Sequence, residues 1–578
     1  MAGSSVGGTV ILEEFMVLIG DNEYLLFQIY ATLFLFHSFL NGKNGNLNIG
    51  GNCLLLSERL PIAASLYPEE PALMRHGQTM SYGELYGLVE RLGHALYVEG
   101  LRAGDRFALL GDPDPQLVVA FYAAVGIGAI PLVPSPLLTV PELAAIFQDA
   151  EPHMVIHDDQ HADAAIATVK LLGYYPKLFT TDVEGTKSSS LAALLQQEPA
   201  FSPKDHFKRS VDDTAVLIYT GGTTGRPKGV MHSHRGMAAW NQLTPSAGFG
   251  HDLKRRVLVL NLSHLVGQFQ LWATMAAGGC LVFLDEYPAD VHRIMEAVER
   301  DQIKQLSTVG QLLRDLTREA SVGGRNLKSL SLIGCGGSII SPVTLQEVVS
   351  KFPEVIIVNN YSQAECGMSI SRLFPAQHME DPHRLRSVGR PADLAAQGEQ
   401  AFEVRILDTD GCEIMTGEAG EIVVRGAQTM LGYWRQLEAT AETMPDGWIR
   451  TGDVGCLDVE GYLYVFDRLK DMVIVGGSNV FCAEVEHVIV THEAVSEAAV
   501  IGHPLAEEGE ELVTFIVLRD GESLDLTQVR AFCEPRLAPY KWPTQLFIVD
   551  ALPRTAVDKI DKKRLRKQLS SISSEELG

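Results

Sequence analysis

From Tyr219 to Val230 the chain reads Tyr-Thr-Gly-Gly-Thr-Thr-Gly-Arg-Pro-Lys-Gly-Val. Gly221, Gly222 and Gly225 let the backbone fold tightly and approach a bulky anion. Backbone amides and the hydroxyls of Thr220, Thr223 and Thr224 aim donors inward, Lys228 adds a positive charge, and Pro227 stiffens the loop. The guest these residue types suit is a polyphosphate. The spacing is not that of a Walker loop, because Lys228 follows a proline and precedes a glycine. The apolar run Ala215–Ile218 before the loop predicts a buried strand. After the loop the chain turns polar, and a helical pattern returns from about Gly236.

A second polar segment, Asn359 to Glu365, follows the apolar run Val355–Val358. It is therefore expected at the C-terminal edge of a strand, where open α/β sheets bind ligands. There Tyr361 can stack on a flat base and Glu365 can hold Mg²⁺ against phosphate oxygens. In Thr451-Gly-Asp453, a carboxylate on a tight turn can accept both hydroxyls of a ribose.

These segments resemble the signature motifs of adenylate-forming enzymes, which include acyl-CoA synthetases, the adenylation domains of peptide synthetases, and firefly luciferase. The resemblance runs from about Leu54 to about Leu569. The family's loop is Thr-Ser-Gly-Thr-Thr-Gly, and Gly221 stands where it has serine. The resemblance implies an ATP site made by Thr220, Gly221, Gly222, Thr223, Thr224, Gly225, Lys228, Asn359, Asn360, Tyr361, Ser362, Asp453, Arg468 and Lys559. Tyr361 packs on adenine, Asp453 grips ribose, and Glu365 meets the metal. Ser362 and Ala364 replace the glycine and threonine of the family's Tyr-Gly-x-Thr-Glu. Asp467–Asp471 matches the family's hinge, with Arg468 near the ribose and Lys470 at the turning point. Gly476–Glu486 resembles the loop that swings in for thioester formation. It puts Gly476, Gly477 and Ser478 on the CoA face and Cys482 in place of a proline. Leu552–Asp561 resembles the segment whose lysine, Lys559, reaches the carboxylate and the α-phosphate; Asp558 replaces its usual glycine. The implied catalytic set is Lys559, Glu365, Thr220 and His264.

For the acid, the resemblance places His264 near the carboxylate, Val266 on the pocket wall, and Gly334, Gly336 and Gly337 in the strip beside the acyl group. No aspartate between Asn261 and Phe269 is available to pair a substrate ammonium. Leu265, Val266, Phe269, Ile333 and Met368 offer apolar surface instead. The implied activity is an ATP-dependent carboxylic acid:CoA ligase that uses Mg²⁺ and takes a fatty, alicyclic or aromatic acid. Two alternatives stay open. One is an acyl-AMP ligase that loads a carrier protein. The other is a non-catalytic acyl-nucleotide binding protein, because Gly221, Ala364 and Asp558 depart from the pattern together.

Positioning these groups takes several domains, since 578 residues exceed one core. Strand-like runs such as Arg106–Leu110, Met154–Ile156, Val257–Leu260 and Cys280–Leu284 alternate with helical stretches, which implies parallel sheets covered on both faces. Glu403–Leu407 and Glu421–Arg425 alternate more clearly and suit a separate small β unit. The expected fold class is α/β: a large N-terminal domain of parallel-rich sheets plus the β unit, then a small mobile α/β C-terminal domain. Its divisions are an extension at 1–53, a large domain at 54–466, a hinge at 467–471 and a small domain at 472–578. With 72 acidic against 47 basic residues and a net charge of −25, no basic field exists to recruit nucleic acid. The eight cysteines contain no Cys-x-x-Cys pair and read as reduced cytosolic thiols. A cytoplasmic enzyme is expected. Residues Tyr24–Leu40 are strongly apolar but include Gln28, Thr32, His37 and Ser38, and no Lys or Arg precedes Lys43, unlike a secretory signal. They leave three uses open: a buried or homodimer-packing helix, a membrane-surface anchor, or an upstream start without function.

Overall fold

The computed structural model describes residues 55–181, 189–196, 209–220, 227–242, 256–288, 290–322, 324–391, 393, 402–476, 478–505, 510–519, 521–555 and 560–575. The expectations for 1–53, for Gly221, Gly222, Thr223, Thr224 and Gly225, for Gly477 and for Lys559 with Asp558 lie outside the described residues.

Two eight-stranded sheets make the large α/β part. One runs Gly367–Leu373, Ile356–Gln363, Leu332–Gly336, Gln305–Val309, Arg256–Val259, Cys280–Phe283, Pro71–Arg75, Gln78–Ser81. The other runs Gly432–Tyr433, Lys228–Ser233, Thr214–Thr220, Ile130–Leu132, Arg106–Leu110, Met154–His157, Lys177–Thr180, Ser189–Ser190. The central pairs are parallel, as strand–helix–strand connections require, while Lys228–Ser233 pairs antiparallel with Thr214–Thr220. One hydrophobic core contains residues of both sheets, among them Phe107, Val216, Val257 and Phe283. Helices Pro115–Gly126 and Leu265–Ala276 meet within it: the ring of Trp272 lies 5.2 Å from Phe121 and 4.9 Å from Tyr122, edge to face. Helix starts follow local chemistry. Ser81 accepts from the Glu84 amide at 3.2 Å while the Glu84 carboxylate takes the Ser81 amide at 2.8 Å, which fixes Tyr82–Val98.

The small β unit is a four-stranded antiparallel sheet, Glu403–Leu407, Gly420–Arg425, Ile449–Leu457, Leu463–Arg468. Beyond Asp471 lie a hairpin, Val473–Val475 with Ser478–Val480, and a three-stranded sheet, Val495–Pro504, Glu510–Leu518, Gln545–Ile548. Helices Cys482–Val490, Leu526–Cys533 and Lys562–Glu575 cover them, around cores of their own. The fold class is the one expected.

Two local expectations need correcting. The stretch after the phosphate loop is more than a polar connection: it forms strand Lys228–Ser233, and the helix expected from about Gly236 starts at His234. That strand forms because both its edges find partners, Thr214–Thr220 and Gly432–Tyr433. Likewise the strand expected to end at Val358 continues to Gln363, because antiparallel pairing with Gly367–Leu373 satisfies the backbone of its polar half. Among the described residues no helix is long and apolar enough to cross a membrane.

Candidate active site

Thr220 and Lys228 face each other across the antiparallel hairpin, so the loop's two ends are pinned in register. A Cβ on Gly229 would come within 2.9 Å of the Tyr219 ring, which is why the residue after Lys228 is glycine. The Tyr219 hydroxyl donates to Asp149 Oδ2 at 2.7 Å and anchors the strand below the loop. Lys228 Nζ lies 4.6 Å from the centroid of Tyr433, whose strand pairs with Lys228–Ser233. The Tyr433 hydroxyl donates to Glu365 Oε1 at 2.8 Å. Burial, reinforced by the Glu365 charge, pushes the Tyr433 phenol well above its ordinary value, so it stays a donor. The Met430 amide donates to Glu365 O at 2.9 Å, and His232 Nε2 lies 2.8 Å from Ala364 O. The loop lysine and the Glu365 carboxylate thus meet at Tyr433, a residue that sequence reasoning missed.

Asp453 is the second focus. It is 4% exposed and its Oδ2 accepts from the Tyr361 hydroxyl at 2.7 Å and from Gln363 Nε2 at 2.6 Å. Its Oδ1 pairs with Arg468 Nε at 2.7 Å. Burial opposes the Arg468 charge, but Asp453, Tyr361 and Glu365 together hold the guanidinium above its ordinary value. Burial, and then the Asp453 charge, raise the Tyr361 phenol far above its usual range. Gln363 also escaped the sequence reading. The available signal was strand alternation, which puts residues 361 and 363 on one face.

Among the acid-side residues, His264 caps helix Leu265–Ala276, accepting from the Val266 amide at 3.3 Å. A Cβ on Gly267 would come within 1.6 Å of Asn261 O, so the turn into this helix tolerates only glycine there. Val266 is half-buried, whereas Leu265, Phe269 and Met368 belong to the large core and Ile333 to a neighbouring one. Gly334 and Gly336 lie inside strand Leu332–Gly336, and Gly337 follows with φ +77°. A Cβ on Gly336 would meet Asn360 O at 2.6 Å. Asn359 is buried, and Asn360 and Ser362 are half-buried along their strand.

Lys470 is exposed in the one-turn helix Leu469–Asp471. Contacts tie down both sides of it. Asp467 Oδ2 accepts from the Ala483 amide at 3.0 Å, Asp471 Oδ1 pairs with Arg566 at 2.7 Å, and the Cys482 thiol lies 3.0 Å from Asp471 O. Gly476, at φ +54°, precedes Ser478 in the hairpin turn. Arg554 bridges to Ile560 and pairs with Glu497 at 2.7 Å, on either side of residues 556–559.

Residues 60–434 match the model of the AMP-binding enzyme family, and 484–559 match that of the AMP-binding enzyme C-terminal domain. The chain belongs to the AMP-binding enzymes. This AMP-binding enzyme is 32% identical over 521 residues to an indoleacetate–CoA ligase of Aromatoleum aromaticum, covering 88% of this chain and 97% of that one. It is 30% identical over 505 residues to a fatty acid–[acyl-carrier-protein] ligase of Streptomyces coeruleorubidus, covering 86% and 93%. An amide bond synthetase from Marinactinospora thermotolerans shares its structure at a TM-score of 0.79, with 28% identity over 89% of this chain and 99% of that one. Family membership selects enzyme over passive binder: it is an AMP-forming ligase that activates a carboxylic acid with ATP.

Proposed function

We propose that this AMP-binding enzyme joins an otherwise apolar fatty, alicyclic or aromatic acid to coenzyme A in two steps at one site. The observation that carries the reading is the Lys228–Tyr433–Glu365 arrangement, with Asp453 held by Arg468 and by Tyr361 and Gln363, whose strand leads into Glu365's turn. The first group suits the phosphate end of a nucleotide and the second its ribose. In the first step the acid's carboxylate attacks the α-phosphate of ATP, the bond to the β-phosphate breaks, and acyl-AMP and pyrophosphate result. In this reading Thr220, Lys228 and Lys559 supply the donors and cations that offset charge growing on the phosphoryl oxygens. His264 orients the acid's carboxylate. In the second step a thiol attacks the acyl carbonyl and AMP leaves, with Gly476, Gly477 and Ser478 facing the thiol after a turn at Lys470.

Mg²⁺ fits the Glu365 carboxylate. Tyr433 occupies Oε1, and among the described residues no hydrogen bond engages Oε2, a hard oxygen suited to that ion. When bound, the ion neutralises phosphate charge. The indoleacetate–CoA ligase relative supports CoA as the acceptor. The carrier-protein ligase and the amide bond synthetase motivate the second reading, a carrier thiol or an amine. A cytoplasmic setting fits the reading; homodimer formation or membrane contact through residues 24–40 is tested by truncation at 53.

The deciding experiment incubates the enzyme with ATP, Mg²⁺ and a panel of acids, measures pyrophosphate, and then weighs products made with CoA, a carrier protein or amines. Acid-dependent pyrophosphate release with an acyl-CoA product is the expected outcome. Product only with the carrier or amine replaces the acceptor, and release only with amino acids overturns the acid assignment.

A further inference from the structure

Strand Leu332–Gly336 lies between Gln305–Val309 and Ile356–Gln363, with Ser307 beside Gly334 and Asn360 beside Gly336 in register. Their neighbours Leu306, Ile333, Val358 and Asn359 are buried, yet Ser307 and Asn360 are half-exposed. A central position of a covered sheet keeps that access by facing a crevice. A Cβ placed on Gly334 has Ser307 Oγ at 3.6 Å and Asn360 Nδ2 at 3.8 Å as its nearest neighbours. Both polar groups therefore flank Gly334 on the same face of the sheet, each within van der Waals distance of where its Cβ would stand.

The hydrogen-bond polarity of each is set from behind. Gln270, 3% exposed on helix Leu265–Ala276, donates from Nε2 to Leu258 O at 3.1 Å. A carbonyl only accepts, so the amide nitrogen must lie on that side, and it also donates to Ser307 Oγ at 3.2 Å. The Ser307 oxygen is thus an acceptor there, and its own O–H has no acceptor among the described residues. On the other flank, Arg372 is 6% exposed and its Nε donates to Ser369 Oγ at 3.1 Å. Ser369 passes its proton on to Asn360 Oδ1 at 2.9 Å. That turns Asn360 Nδ2 toward Gly334, where its two contacts, to Cys335 O and Val358 O, are both long at 3.4 Å.

We propose that the acid carries an oxygen acceptor on its acyl chain, a ketone or hydroxyl distinct from the reacting carboxylate, bound over Gly334 by the Ser307 O–H and the Asn360 Nδ2–H. Ser369 and Gln270 act as positioning residues. The inference rests on the ligase reading and narrows its substrate class. A plain methylene at this point strands the Ser307 hydroxyl away from water without a partner, which sites built to bond an oxygen do not tolerate well.

The test compares matched acids by kcat/KM for pyrophosphate release: benzoylpropanoate against phenylbutanoate, and hydroxyphenylpropanoate against phenylpropanoate. The wild type is expected to favour an oxygenated partner by on the order of tenfold to a hundredfold. Ser307→Ala should shrink that ratio to about threefold or less while KM for ATP holds, and Ser369→Ala should shrink the ratio likewise. A ratio near one in the wild type, with both members of every pair turned over, overturns the inference and leaves the ligase reading standing. Equal loss on both members in Ser307→Ala also overturns it, since Ser307 then serves the shared carboxylate or the fold. No release with any acid overturns the ligase reading and this inference with it.

Discussion

Tyr433 gives its hydroxyl to Glu365 Oε1 at 2.8 Å while the Lys228 ammonium lies 4.6 Å from the centre of its ring. Tyr433→Phe keeps the ring under the cation and removes the hydroxyl that donates to Glu365. A hydrogen bond to a charged acceptor contributes about 1.5–3 kcal/mol, roughly tenfold to a hundredfold in rate. Adenylation should fall within that range and the half-saturating Mg²⁺ concentration should rise. Pyrophosphate release across a Mg²⁺ titration measures both, and an unchanged Mg²⁺ dependence removes Glu365 from the metal role.

Asp453→Ala strips the acceptor from two buried donors, the Tyr361 hydroxyl and Gln363 Nε2, and the counter-charge from Arg468. Each stranded buried donor costs about 1–3 kcal/mol, so unfolding stability should drop by about 3 kcal/mol or more. Urea denaturation reads the change. A loss under about 1 kcal/mol means that the three partners re-pair with water or one another.

Burial lowers His232 and His234 from 6.5 to about 4, and both are nearly inaccessible. The unfolded chain binds these protons near neutral pH and the native state resists them until much lower. Their stabilisation is therefore complete above about pH 6.5 and is lost as pH falls toward about 4, by roughly 3 kcal/mol for each histidine. Urea midpoints collected through this window should decline steeply. His232→Gln, which can still donate to Ala364 O, should flatten the decline, and an unaltered slope refutes the assignment.

On the proposed assignment, Lys559→Ala should slow acyl-AMP formation by about a hundredfold or more, about 3 kcal/mol, because it removes the cation assigned to developing phosphoryl charge. Supplied with synthetic acyl-AMP, the variant should still form thioester. Lys470→Pro restricts the backbone at the turn Leu469–Asp471 and should spare adenylation while slowing thioester formation. Rapid-quench measurement of the two half-reactions separates them. Adenylation within about threefold of wild type in Lys559→Ala sinks the lysine assignment.

Much of this was legible in the sequence because the signals are local. Gly229, Gly267 and Gly336 sit where a side chain would strike a neighbouring ring or carbonyl, and such constraints leave fixed glycines in short motifs. What was illegible depends on distant partners. Strand Lys228–Ser233 is specified partly by residues 432 and 433, and Tyr433 reaches Glu365 only once that pairing exists. Leu265 and Phe269 read as pocket lining, but the helix turns them into the core around Trp272. Ser307 and Ser369 carry no pattern at all; their importance lies in which donors stand behind them.

The edge pairing of Lys228–Ser233 with Gly432–Tyr433 has a consequence for biosynthesis. On a growing chain the return strand of the hairpin gains its inner neighbour at once but waits some two hundred residues for its outer one. Throughout that interval one row of its amides and carbonyls is open to pairing with another nascent copy. Chains halted before residue 432 should therefore aggregate, whereas chains extended past it should gain protease resistance at Val230 and Met231.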